Sequence, residues 1–67
     1  MKFYQTNETE LVNLSLVESI NIDIWNEDED EKPRLVLEAR DGIYYSYFES
    51  IEECHAEFYR ITEHLRL

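Results

Sequence analysis

Apolar residues recur along the chain with two different periods, and the change of period marks the fold. Ile51, Cys54, Phe58, Ile61 and Leu65 are spaced by three and four, which places them on one face of an α-helix. Ser50 precedes the first of them and Glu53 follows three residues later. This is a capping box, in which the serine oxygen accepts a free backbone N–H and the glutamate reaches back to the N-cap. Glu52 and Glu53 stand at the positive end of the helix dipole, Arg60, His64 and Arg66 toward the negative end. Pattern, cap and charge together predict a helix over about residues 51–66.

Upstream the period is two. Lys2–Gln5 reads as a short strand, Thr6–Thr9 as a turn and Glu10–Leu14 as a second strand. Ser15–Glu18 reads as a tight turn that buries Leu16 and Val17. Ser19–Trp25 alternates strictly, with Ile20, Ile22 and Ile24 on the core side. Asn26–Pro33 reads as a polar loop, since Pro33 lacks an N–H and belongs at the start of a strand or outside it. Arg34–Arg40 alternates again. Asp41-Gly42 predicts a two-residue type I′ hairpin turn, and Ile43–Phe48 the returning strand.

That turn sets a register: Arg40 opposite Ile43, Ala39 opposite Tyr44, Leu37 opposite Ser46 and Leu35 opposite Phe48. Opposed residues share a face. Leu35, Leu37, Ala39, Tyr44 and Phe48 then pack under the helix with the three isoleucines. Val36, Glu38, Ile43, Tyr45 and Tyr47 form the other face, with Trp25 joining them, and one helix leaves that face uncovered. The expected architecture is α+β over residues 1–67 as one domain: a small antiparallel β-meander of four or five strands, with a C-terminal helix packed on one face.

Charge narrows the function. Sixteen acids against six Lys or Arg give a net charge of −10. Direct binding to nucleic acid or to an anionic membrane is not expected, because both need a basic patch. No apolar run approaches the ~20 residues of a membrane span. A hydrophobic content of 43% argues against disorder. The single cysteine excludes an internal disulfide, and the chain reads as cytoplasmic, without a signal peptide.

The candidate chemistry is that of partner binding. Glu27, Asp28, Glu29, Asp30 and Glu31 are five consecutive acids, either a solvated connection or a negative arm for a basic groove. The run lacks the glycine and terminal glutamate of a calcium loop. Trp25, Tyr45 and Tyr47 are the residue types that anchor protein interfaces, including homodimers. Cys54 and His55 lie about 100° apart on the helix, a poor nucleophile–base geometry. His55 and His64 fall on opposite helix faces and cannot share a metal within one chain. Glu49, Glu53 and Glu57 form a stripe read as dipole complementarity on a wet face. No catalytic residue, cofactor or metal is expected.

The phrase Val12-Asn13-Leu14-Ser15-Leu16-Val17-Glu18-Ser19-Ile20 resembles a strand-turn-strand found in short bacterial and phage proteins, including the small flagellar-operon regulators. The resemblance implies a small sheet with a C-terminal helix and no catalytic residues. In charge and size the chain is also similar to acidic phage inhibitors that imitate DNA. The expected function is therefore a non-enzymatic acidic protein-binding module, an inhibitor or regulator of a protein with a basic, nucleic-acid-binding surface. The alternative is a structural homo-oligomer or assembly subunit that uses the free aromatic sheet face.

Overall fold

The computed structural model describes residues 2–27 and 30–65, those at 25–27 and 30–31 by their backbone. Among the described residues five antiparallel strands precede one helix: β1 (Phe3–Asn7), β2 (Glu10–Asn13), β3 (Val17–Glu27), β4 (Asp30–Ala39), β5 (Gly42–Tyr47) and α1 (Ile51–Leu65), with a 3-10 turn at Leu14–Leu16. The α+β architecture is as expected, but the strands divide into two sheets, β1-β2 and β3-β4-β5.

The capping serine stands where the pattern placed it: the Glu53 N–H donates to Ser50 Oγ at 3.2 Å. Within the helix stripe, Cys54 and Ile61 are fully buried, while Phe58 and Leu65 pack against the core from its margin. Ile51 departs from the expectation. It is 38% exposed, at the start of α1 and ahead of Cys54, the first buried residue of the helix.

The core face of the three-stranded sheet is covered twice. Leu35 and Leu37 of central strand β4 are fully buried, with Ile20, Ile22, Tyr44 and Phe48 around them. The β1-β2 hairpin adds Tyr4 and Val12, and Leu14 follows from the 3-10 turn. Ser46 Oγ donates to the Thr6 carbonyl at 3.3 Å, joining the two sheets. The expected burial of Leu16 and Val17 is replaced by that of Leu14; the two are only half-buried. Asn13 caps this turn by accepting from the Ser15 N–H at 3.0 Å, which directs Leu14 inward.

The β4-β5 register differs from the expected one by a shift of two residues. Ala39 pairs with Gly42, Leu37 with Tyr44 and Leu35 with Ser46, so the turn residues are Arg40 and Asp41. Such a shift leaves every side chain on its face, and the hydrophobic pattern cannot distinguish it. Gly42 instead opens β5 at φ +151°, a region that L side chains rarely adopt. Tyr44 lies over it, 3.9 Å from where a Cβ would stand, and covers a residue that has no side chain of its own to pack. Gly42→Ala meets no clash but strains the backbone, so a loss of more than about 1 kcal/mol is expected in chemical denaturation.

The polar loop expected at Asn26–Pro33 is also corrected. The β3-β4 ladder continues through Ile24↔Pro33, Trp25↔Lys32, Asn26↔Glu31 and Glu27↔Asp30. Each ladder hydrogen bond contributes about 1 kcal/mol net, whereas like charges opposite one another cost less than about 1 kcal/mol per pair, so pairing wins. Pro33 is buried within the central strand. Its carbonyl accepts from the Phe48 N–H at 3.0 Å. The reciprocal bond would need a Pro33 N–H, and its absence is why the ladder with β5 stops there.

Candidate protein-interaction surface

Two features stand clear of the core. The first is the outer face of β3-β4-β5. Strand alternation sends Val36, Glu38, Ile43, Tyr45 and Tyr47 there, as expected, because the register shift is even. Ile43 is 57%, Tyr47 50% and Tyr45 37% exposed, and no described element covers them. Trp25 pairs with Lys32 through its backbone; its side chain lies outside the described residues.

This face is not purely apolar. The Arg34 guanidinium stacks over the Tyr45 ring, 4.4 Å from its centroid. It also pairs with Asp23 Oδ2 at 2.8 Å, from the residue opposite it on β3. Desolvation pulls the Arg34 pKa down, but hydrogen bonds with Asp23 and Tyr47 outweigh it and leave the guanidinium above its ordinary range. Ser19 Oγ donates to Glu38 Oε2 at 3.1 Å across the same pair of strands. The result is an aromatic surface crossed by polar contacts between strands.

The second feature is the end of the β3-β4 hairpin. Three residue pairs beyond Pro33, from Trp25↔Lys32 to Glu27↔Asp30, extend past β5, a reach of roughly 10 Å at about 3.3 Å per residue. Glu27, Asp30 and Glu31 belong to this two-stranded arm by their backbone, with Glu27 and Asp30 opposite in register. Asp28 and Glu29 lie outside the described residues. Glu27, Asp30 and Glu31 are therefore carried on paired strands.

The remaining chemical candidates are placed as follows. Cys54 is buried, and burial pushes its thiol pKa up, away from the thiolate a nucleophile needs. The exposed His55 faces the Tyr59 ring at 6.1 Å between centroids. Among the described residues no three His, Cys, Asp or Glu side chains gather in a metal-binding group. Among the described residues no helix is long and apolar enough to cross a membrane.

Glu57 is not part of a wet stripe. It is half-buried and accepts from the Tyr4 hydroxyl at 3.1 Å and from Arg60 Nε and Nη2 at 3.0 and 2.8 Å. Sequence reasoning missed this tie between β1 and α1; the three-residue spacing of Glu57 and Arg60 was the available signal. The Arg60 hydrogen bonds, opposed by burial and aided by Tyr4, hold the Glu57 carboxyl below its ordinary 4.5. A depressed carboxyl contributes stability that is complete above the unfolded-state pKa and is lost as pH falls through the folded one. The stability gap between wild type and Glu57→Gln should be constant above about pH 5 and narrow below pH 4.5, as read by urea denaturation across that range.

Comparison with protein-family models, with curated proteins and with solved structures yields no match to this chain.

Proposed function

We propose that the protein is a non-enzymatic acidic protein-binding module, an inhibitor or regulator that presents DNA-like carboxylates to a partner with a basic, nucleic-acid-binding surface. The observation that supports this reading is the projection of the β3-β4 ladder past β5, which carries Glu27, Asp30 and Glu31 away from the body. A two-stranded ribbon advances about 3.3 Å per residue pair. Among the described pairs Glu27↔Asp30 carries an acid on both strands and Asn26↔Glu31 on one, about one carboxylate per 3.3 Å of ribbon, roughly half the charge density of duplex DNA at about one charge per 1.7 Å. The net charge of −10 extends the attraction beyond the contact itself and steers encounter. The partner is a protein, and no direct contact with nucleic acid or membrane is implied. The test is capture from extract of the source cell with elution by salt. The reading expects a basic nucleic-acid-binding protein to elute; capture that survives high salt, or of acidic proteins alone, counts against it.

A second reading, a structural homo-oligomer or assembly subunit, is favoured by the exposure of Ile43, Tyr45 and Tyr47 on one face. On that reading the wild type sediments as a dimer at micromolar concentration, and Tyr45→Arg, which adds a second cation beside Arg34, sediments as a monomer. A wild type that remains monomeric removes the homodimer.

A further inference from the structure

We propose that the outer edge of β3, with the groove between β3 and α1, is a second binding site that accepts an extended arginine- or lysine-bearing segment of a partner protein as an added antiparallel strand. The site is distinct from the acidic arm and does not depend on the arm's function.

The edge follows from the ladder. Among the described residues β3 pairs with β4 alone. The Phe48 N–H bonds to the Pro33 carbonyl, so odd-numbered residues of β4 direct their backbone groups to β5 and even-numbered ones to β3. The β3 residues opposite those even positions are Ser19, Asn21 and Asp23. The N–H and C=O groups of Ile20, Ile22 and Ile24 therefore point outward. Among the described residues no hydrogen bond to them is found. A strand of 11 residues, regular in its pairing from Ser19 onward and with one open edge, is a template for strand addition.

The groove beside this edge specifies the occupant. Glu18, Ser19 and Ile20 of β3 and Phe58, Tyr59 and Thr62 of α1 enclose about 390 Å³. Ile20 and Phe58 offer an apolar wall, Tyr59 an aromatic ring that is 63% exposed, and Glu18 a carboxylate. Such a lining fits a long cationic side chain, whose alkyl stem packs on apolar surface while its charged head meets an aromatic face and an acid. In antiparallel addition, a residue bonded to an isoleucine of β3 places its own side chain on the isoleucine face, which is the groove side. Every second residue of the incoming strand can then present a cation. A second copy of this chain fits poorly: its β3 carries Glu18, Asp23 and Glu27, and each copy bears a charge of −10.

The test uses a short peptide alternating arginine and threonine, titrated into the intact protein while amide hydrogen exchange is followed. The N–H groups of Ile20, Ile22 and Ile24 should gain protection. N-methylation of the peptide at its arginines should weaken binding by about tenfold or more, from the loss of several hydrogen bonds, and methylation at its threonines should not. Glu18→Gln and Tyr59→Ala, both at exposed positions, should weaken binding without unfolding the protein. Neutralising the arm should leave the sensitivity to methylation intact, so failure of the arm reading and failure of this one are distinguishable. Equal binding of the three peptides, or protection that bypasses the three isoleucines, overturns the proposal. Concentration-dependent protection of the same amides without peptide also overturns it, because the occupant is then a second copy.

Discussion

Ile61→Ala is expected to unfold the protein, or to leave it so unstable that it melts near room temperature. Ile61 is fully buried where α1 meets the sheet, beside Cys54, Leu35 and Leu37. Removing its outer carbons loses their transfer free energy and leaves a cavity, together about 2–5 kcal/mol. Stability at roughly 0.05–0.15 kcal/mol per residue amounts to only a few kcal/mol, up to about 10, for a chain of this length. The mutation therefore removes a large share of the total. Phe58→Ala gives the contrast. Although phenylalanine is the larger side chain, Phe58 lies at the margin of the core and lines the groove beside β3, so its loss should cost less than that of Ile61. Thermal melts of the two variants, followed by circular dichroism, check the order. A wild-type-like melt for Ile61→Ala would show that the helix packs by another face.

Neutralising the acid run should affect binding strongly and folding little. Replacing Glu27, Asp28, Glu29, Asp30 and Glu31 by Gln or Asn halves the net charge and removes like-charge opposition between Glu27 and Asp30. The free variant should be as stable as wild type or slightly more so. Added salt should stabilise the wild type more than the variant, since it screens repulsion over the ~8–10 Å Debye length at physiological ionic strength. Toward a basic partner the effect reverses. The variant should lose affinity chiefly through slower association, because steering by charge governs on-rate, and salt should slow the wild type toward the rate of the variant. Stopped-flow association with the captured partner at low and physiological salt measures both.

What could be read from the sequence divides along physical lines. The helix was legible because three independent signals agree on it: the three-four spacing, the Ser50 cap and the charge at its ends. The two faces of β4 and β5 were legible because period-two alternation survives any even shift of register. For the same reason the register was not legible: Leu35 opposite Ser46 and Leu35 opposite Phe48 satisfy the pattern equally, and Gly42 serves either turn. Charge misled at Asn26–Pro33, where a run of acids looks like a solvated loop although, among the described residues, backbone pairing outweighs like-charge repulsion. The separate β1-β2 sheet was hidden because Tyr4 and Val12 enter the core through contacts distant in sequence, Tyr4 with Glu57 among them. Of the candidate interaction surface, Tyr45 and Tyr47 were placed on the correct face. The Arg34 stack over Tyr45 required the true register to be seen.

Competition between the protein and duplex DNA for the captured partner tests the central claim most directly. If the arm presents carboxylates in place of phosphates, the two ligands bind one surface. Increasing DNA should then displace labelled wild-type protein completely, and the five-fold neutralised variant should fail to displace DNA. A ternary complex of protein, partner and DNA, with the neutralised variant binding as tightly and as fast as wild type at low salt, would contradict the account and leave assembly through the aromatic sheet face as the better reading.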